Sequence, residues 1–228
     1  TMAVLQAADE LKMRLAEVAA QQLECAAEDV ELAADGYQVR GHPDSRVPMQ
    51  EIIADAAAMA GGTLEARSAG PARGQRAPQS CIVACVVEAE VDPETGRLSP
   101  LKLTFAHDVG RAINPQLLQA QIEGAGVQGL GMALMEELPS QDGRIAAVHL
   151  GDYKMPCPAD LPELVSVLVE GAPGPGPYEA KAVAELSNCP VPAAVANAVA
   201  RAAARVFDLP ITAERVREVL LRPVPSGS

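Results

Sequence analysis

The sequence predicts an α+β fold in two lobes, with helices packed on mixed or antiparallel sheets. Helical periodicity and two-residue alternation both recur along the chain, yet helices and hairpins alternate without the βαβ rhythm of a doubly wound sheet. A stretch rich in Gly, Pro, Arg and Ser, residues 66–79, breaks the pattern and marks a boundary between lobes. Of the 228 residues, 49% are hydrophobic and 21% charged, the composition of a chain that buries a core. The expected organisation is a helix–hairpin–helix lobe over 1–66, a linker loop over 67–79, a second lobe over 80–222 and a disordered tail over 223–228.

Each element has a local reason. Over residues 2–24, Val4, Leu11, Leu15, Val18 and Leu23 recur at near-helical spacing with charged residues between them, which predicts an amphipathic helix. Two short alternating runs around Asp35-Gly36 predict a hairpin, because Asp-Gly supplies the positive φ that tight turns need. Residues 48–60 return to helix, with Pro48 in the first turn and Gly61-Gly62 as the stop. Alternation over 82–91, the turn Asp92-Pro-Glu-Thr-Gly96 and a second run over 98–107 predict a hairpin. Asn114-Pro115 caps and begins a helix that runs to about Glu137, in which Met132 and Met135 read as core. Strands are expected over 145–153 and 164–170, and helices over 191–206 and 212–221.

The bulk numbers also exclude functions. A formal charge of −12 with no basic run argues against a nucleic-acid or anionic-membrane surface. The run 191–207 comes nearest to a membrane span, but Asn197, Arg201 and Arg205 interrupt it. The five cysteines, at irregular spacing and without a CxxC pair, make a poor disulfide framework and fit a reducing, cytoplasmic compartment. Cys81 and Cys85 read as core thiols on one strand face. His107 and His149 fall at strand ends without a second ligand at metal spacing and read as packed or surface residues.

Two stretches carry chemistry. Residues 107–137 hold Gly124, Gly126, Gly129 and Gly131 inside a helical pattern, each costing up to about 1 kcal/mol relative to Ala. Two explanations stand: tight packing of the helix on a sheet, or close approach of a ligand to which Gln121 or Gln128 presents its amide. The GxGxxG order and a phosphate-loop ending are both missing. Residues 174–199 bring Lys181 and Glu185 on a Gly/Pro-rich loop to the start of a helix. Set among Ala, Val and Leu, the Glu185 carboxylate would be desolvated and suited to general-base work; the plain alternative is a solvated loop-end carboxylate.

Taken together, these stretches resemble the C-terminal half of the molybdenum-binding subunit of the xanthine dehydrogenase, aldehyde oxidase and carbon monoxide dehydrogenase family. The resemblance rests on Asp108, Gly110, Asn114-Pro115, Gln121, Glu123-Gly124 and Val127-Gln128-Gly129-Leu130-Gly131, then on Lys181-Ala-Val-Ala184-Glu185. Asp92–Gly96, Tyr153–Pro156 and the run from Pro192 to Ala198 add to it.

The resemblance implies a molybdopterin cofactor, in bacteria commonly the cytosine dinucleotide. It implies a Glu that takes a proton so that water-derived oxygen attacks an electron-poor carbon of a small-molecule substrate. Electrons would leave through iron–sulfur clusters to FAD in partner subunits. By position Glu185 inherits the base role, and Gln128, Gly129, Gly131, Lys181 and Ala184 the cofactor contacts. The family's upstream half, with its own cofactor loops, is not in this stretch, so the isolated chain is expected to be inactive. A scaffold fragment that keeps the fold without catalysis is the alternative. The family has Gly where Ala184 stands; if that position needs a positive φ, Ala strains it by about 1 kcal/mol or more. After Glu185, Leu-Ser-Asn-Cys replaces the family's Pro-rich continuation.

Overall fold

The computed structural model describes residues 2–70, 80–202 and 205–221. The chain divides into two compact units, residues 1–77 and 78–228. Much of the expected linker, 71–79, and the expected tail, 223–228, lie outside the described residues.

In the first unit, α1 (Met2–Gln22) and α2 (Met49–Met59) pack with a three-stranded antiparallel sheet of β1 (Val30–Leu32), β2 (Gly36–Val39) and β3 (His42–Pro48). The Asp35-Gly36 hairpin forms as expected, with Leu32 opposite Tyr37 and Val30 opposite Val39. β3 was not anticipated, since HPDSRVP has no alternating pattern and two prolines. Almost all of it is exposed, an edge strand held by backbone pairing to β2 rather than by burial. Pro48 ends that strand and caps α2 instead of lying within it. Leu15, Val18, Tyr37, Val47 and Ile52 form this unit's core. The Tyr37 hydroxyl donates to the Lys12 carbonyl at 3.1 Å, so the buried phenol is satisfied.

In the second unit, β4 (Val83–Val91) and β5 (Leu98–Asp108) form the expected hairpin. The turn works by its chemistry: Asp92 Oδ1 accepts from the Glu94 amide at 2.9 Å, and the Gly96 amide returns to the Asp92 carbonyl at 2.8 Å. β8 (Glu163–Val169) pairs parallel with β5, so the sheet is mixed, in the order β4-β5-β8. The crossover from β5 to β8 passes through α3 (Pro115–Leu134), a parallel unit within an otherwise α+β arrangement. Asn114 caps α3, its side chain accepting from the Leu117 amide at 3.1 Å. The helix stops at Leu134, short of Glu137, because Met135 leaves helical geometry at φ −147°.

α3 packs on β8, and α4 (Val191–Ala202) packs on β4 and α3. α5 (Ala213–Leu221) follows, and Val216 joins a core centred on Leu103, Phe105, Ile122, Leu130 and Val195.

Two local expectations fail. Residues 145–153 do not form a strand: β6 (Ser140–Gln141) and β7 (Arg144–Ile145) make a two-residue ladder, and 149–153 turn back on the His149 carbonyl. The apolar residues that suggested a strand, Val148 and Leu150, are exposed and find no sheet edge among the described residues. Met132 is exposed at 42%, because the packed stripe of α3 runs through Ile122, Ala125, Gly126, Gly129, Leu130 and Ala133.

Candidate functional site

Glu185 belongs to the second unit. It lies in a short 3-10 turn, Ala184–Ser187, which docks on α3. Between the turn and the helix lies a cleft of about 260 Å³, lined by Ala120, Gln121, Gly124, Ala125, Gln128, Ala184 and Glu185. The helical residues fall at i, i+1, i+4, i+5 and i+8, one face of α3, so the spacing itself sets the two glutamines on the same face, two turns or about 10.5 Å apart. The structure therefore gathers Gln121, Gln128, Ala184 and Glu185, drawn from two separate motifs, around one space.

The four glycines of α3 separate into two kinds. At Gly126 a Cβ would stand 2.5 Å from Phe105 Cζ, and at Gly129 2.7 Å from the Asn188 carbonyl oxygen. At Gly131 it would run into Glu136 and Pro156. These three are packing glycines, and Gly129 and Gly131 lie outside the cleft. Gly124 alone has nothing within 4 Å and opens onto the cleft. Packing thus accounts for three of the glycines, and the fourth, Gly124, has open space beside it.

Lys181 is committed elsewhere. Its ammonium donates to Asp108 Oδ2 at 2.5 Å, and the two side chains are only 8% and 20% exposed. The hydrogen bond from Lys181, together with its charge, holds the Asp108 carboxyl below the ordinary carboxylate range. Lys181 lines a second cleft, about 300 Å³, with Arg111, Asn114, Leu117 and Gln121; Gln121 belongs to both clefts.

The loop before Glu185 is held in unusual backbone conformations. Tyr178, Glu179 and Ala184 have φ of +56°, +66° and +43°. Non-glycine residues seldom adopt this region, and they persist in it only where surrounding contacts impose it. Those contacts are visible: the Lys181 amide donates to the Val109 carbonyl at 3.0 Å, the Arg111 amide donates to the Glu179 carbonyl at 3.2 Å, and Gly110 bridges Ala180. Gly110 is needed there, since its φ is +63° and a Cβ would stand 2.4 Å from the Glu179 carbonyl oxygen. The position the resemblance flagged, Ala184, does carry a positive φ on a residue with a Cβ.

Glu185 itself is exposed, and its carboxylate has no ion-pair or hydrogen-bond partner among the described residues. The desolvated environment that its Ala/Val/Leu neighbours suggested is not present around it. Val183 packs against the main core instead, and Ala184 is exposed beside it.

Of the two strand-end histidines read as packed or surface residues, His107 is packed, and its partner Ser187 was not singled out in the sequence. His107 is fully buried at the end of β5, its Nδ1 3.1 Å from Ser187 Oγ, which is also fully buried. Burial pushes the imidazole below its usual range, partly offset by the Ala182 carbonyl and the Asp108 carboxylate. A strand-end histidine and a serine 80 residues later carry no sequence signal of contact. His149, by contrast, is on the surface beside Asp152, 3.4 Å away. Cys25, Cys85, Cys157 and Cys189 are free thiols, and burial raises that of Cys85 to about 11.

Comparison with known proteins gives this arrangement a family. The chain is 31% identical over 207 residues to the 6-hydroxypseudooxynicotine dehydrogenase complex subunit gamma of Paenarthrobacter nicotinovorans, covering 87% of this chain and 26% of that one. It is 36% identical over 146 residues to an aldehyde oxidoreductase molybdenum-binding subunit of Escherichia coli K12, covering 62% and 20%. Quinoline 2-oxidoreductase from Pseudomonas putida 86 superposes with a TM-score of 0.81 at 29% identity, over 96% of this chain and 29% of that one. The chain thus spans between a fifth and a third of these relatives. The profile of the molybdopterin cofactor-binding domain matches residues 1–162. The chain belongs to the molybdopterin cofactor-binding domain family, among the molybdenum-binding subunits of the xanthine dehydrogenase type.

Proposed function

We propose that this chain is the C-terminal part of a molybdenum hydroxylase and that Glu185 is its proton acceptor. The observation that carries the proposal is the single cleft that Gln121, Gln128 and Glu185 line together beside the open side of Gly124.

The donor set fits a molybdopterin. Carboxamides both donate and accept, which suits the alternating polar edge of a pterin. Gly124 leaves room where a side chain would stand, and Ala184 adds only a methyl group. When bound, the cofactor supplies the molybdenum centre that takes up electrons and lets water-derived oxygen reach an electron-poor carbon. The chain's residues do the rest. Gln128 and Gln121 hold the pterin edge. Gly126 and Gly129 let α3 sit close to β5 and α4, which sets the depth of the cleft. Glu185 takes the proton from the water-derived oxygen, and the Asp108–Lys181 pair secures the loop that carries it.

Finer features belong to the same proposal. The cofactor would be the cytosine dinucleotide form, the substrate a small molecule, and electrons would pass to iron–sulfur and flavin-bearing partners in the cytoplasm. Exposure of Glu185 supports the view that turnover needs the further parts its relatives carry, because a general base works best where water is excluded. No helix among the described residues is long and apolar enough to cross a membrane.

The test is co-expression of the chain with the remaining parts of such a subunit, followed by assay of bound molybdenum and of turnover. Glu185→Gln should abolish turnover while leaving molybdenum content unchanged. An assembled complex without metal, or a Glu185→Gln variant with full turnover, would sink the proposal.

A further inference from the structure

The segment Lys181–Ser187 is tied to the end of β5 at two neighbouring residues. At its start, Lys181 pairs with Asp108 at 2.5 Å. At its end, Ser187 meets His107 Nδ1 at 3.1 Å. Ala184 and Glu185 lie between the two ties. Inside the bracket, the bonds that flank the 3-10 turn are the Leu186 amide to the Val183 carbonyl at 3.3 Å, the Asn188 amide to the Glu185 carbonyl at 3.1 Å and the Cys189 thiol to the Glu185 carbonyl at 4.0 Å. A single 3-10 turn that begins with an αL alanine is a strained local structure, and the Ser187 side chain adds a tie from it to β5.

His107 fits that task. It is fully buried, and its Nε2 has no hydrogen-bond partner. A buried polar atom left unpaired costs about 1–3 kcal/mol, so a merely space-filling imidazole here would be worse than Phe or Leu. Retaining the ring is explained if the bond from Nδ1 to Ser187 is what the position supplies.

We propose that His107 and Ser187 form a positioning pair. With the Asp108–Lys181 ion pair, it brackets the Lys181–Ser187 segment and fixes the direction in which Glu185 presents its carboxylate to the cleft. The proposal rests on the reading of Glu185 as proton acceptor. Neither residue of the pair touches the cleft, so their action is indirect.

Hydrogen exchange of the Leu186 and Asn188 amides, followed by NMR on this chain, tests it first. Ser187→Ala removes the hydroxyl with little change in volume. His107→Phe keeps the volume and removes Nδ1. His107→Asn places a carboxamide atom where Nδ1 stood. Ser187→Ala and His107→Phe should each speed exchange of the two amides about ten-fold, with β4 and β5 still protected, and His107→Asn should restore protection. Unchanged exchange in Ser187→Ala overturns the proposal even if His107→Phe fails to fold.

The second readout is the metal-loaded assembly. Ser187→Ala should lower kcat with KM unchanged, and His107→Asn should recover most of the loss. A loosened turn with kcat unchanged, while Glu185→Gln is inactive, overturns the positioning role alone. A loosened turn with Glu185→Gln active overturns the reading of Glu185, and the positioning role falls with it.

Discussion

Replacing Ala184 by Gly should stabilise this protein, against the usual effect of adding a glycine. Ala184 holds φ at +43°, where its Cβ crowds the backbone. That conformation costs an L-residue about 1–2 kcal/mol, and glycine adopts it freely. Glycine also loosens the unfolded chain, which returns about 0.4–1 kcal/mol. Ala184 is exposed, so removing its methyl sacrifices little packing. The net gain is about 0.5–1 kcal/mol, or a rise of about 1–4 °C in Tm for a unit of this size. Urea and thermal unfolding followed by circular dichroism would measure it. Ala184→Val should act in the opposite direction, since a β-branched residue fits this region worse still. A drop in stability on Ala184→Gly, or no change together with a tolerated valine, would show that the segment does not hold the positive φ, and the argument for imposed strain beside Glu185 would be refuted.

Other predictions follow from the same geometry. Gly124→Ala should raise the stability of the chain by up to about 1 kcal/mol through helix propensity, yet lower molybdopterin retention in the assembled subunit, because the methyl enters the cleft. Gly126→Ala should do the reverse and destabilise by about 1–3 kcal/mol, since its methyl meets the fully buried Phe105 ring; denaturant midpoints compare the two. Stability should fall as pH drops below about 6.5, because His107 binds a proton readily when unfolded and reluctantly when buried; His107→Asn, made with the bond to Ser187 kept, should flatten that part of the profile. Asp108 acts lower on the scale. Its folded carboxyl titrates below the unfolded value of 3.8, so the stability it confers is present above that pH and lost as pH falls through the folded value; Asp108→Asn should remove this acid limb.

The elements of the fold were largely legible because their causes are local. The caps and turns at Asn114, Asp35-Gly36 and Asp92–Gly96 state their geometry in the residues themselves. β3 was not legible, because an exposed edge strand is held by its neighbour's backbone and leaves no pattern of burial in its side chains. The false strand over 145–153 has the opposite cause: Val148 and Leu150 alternate as a strand would, but no sheet edge among the described residues receives them.

The order of motifs along the chain was enough to place Glu185, Gln121 and Gln128 as candidates, and to mark Ala184 as a departure. The sequence by itself determined the helices and most hairpins, since propensity, periodicity and turn chemistry act over a few residues, while the class of chemistry was what the resemblance of its motifs implied. Only the tertiary structure decided which glycine of α3 faces a cleft and which three face packed neighbours. It also decided that Lys181 answers Asp108, 73 residues away, and that His107 answers Ser187, 80 residues away. Those pairings depend on where β5 ends relative to a loop far along the chain. A contact between distant residues is set by the whole path of the backbone between them, and no local pattern records it.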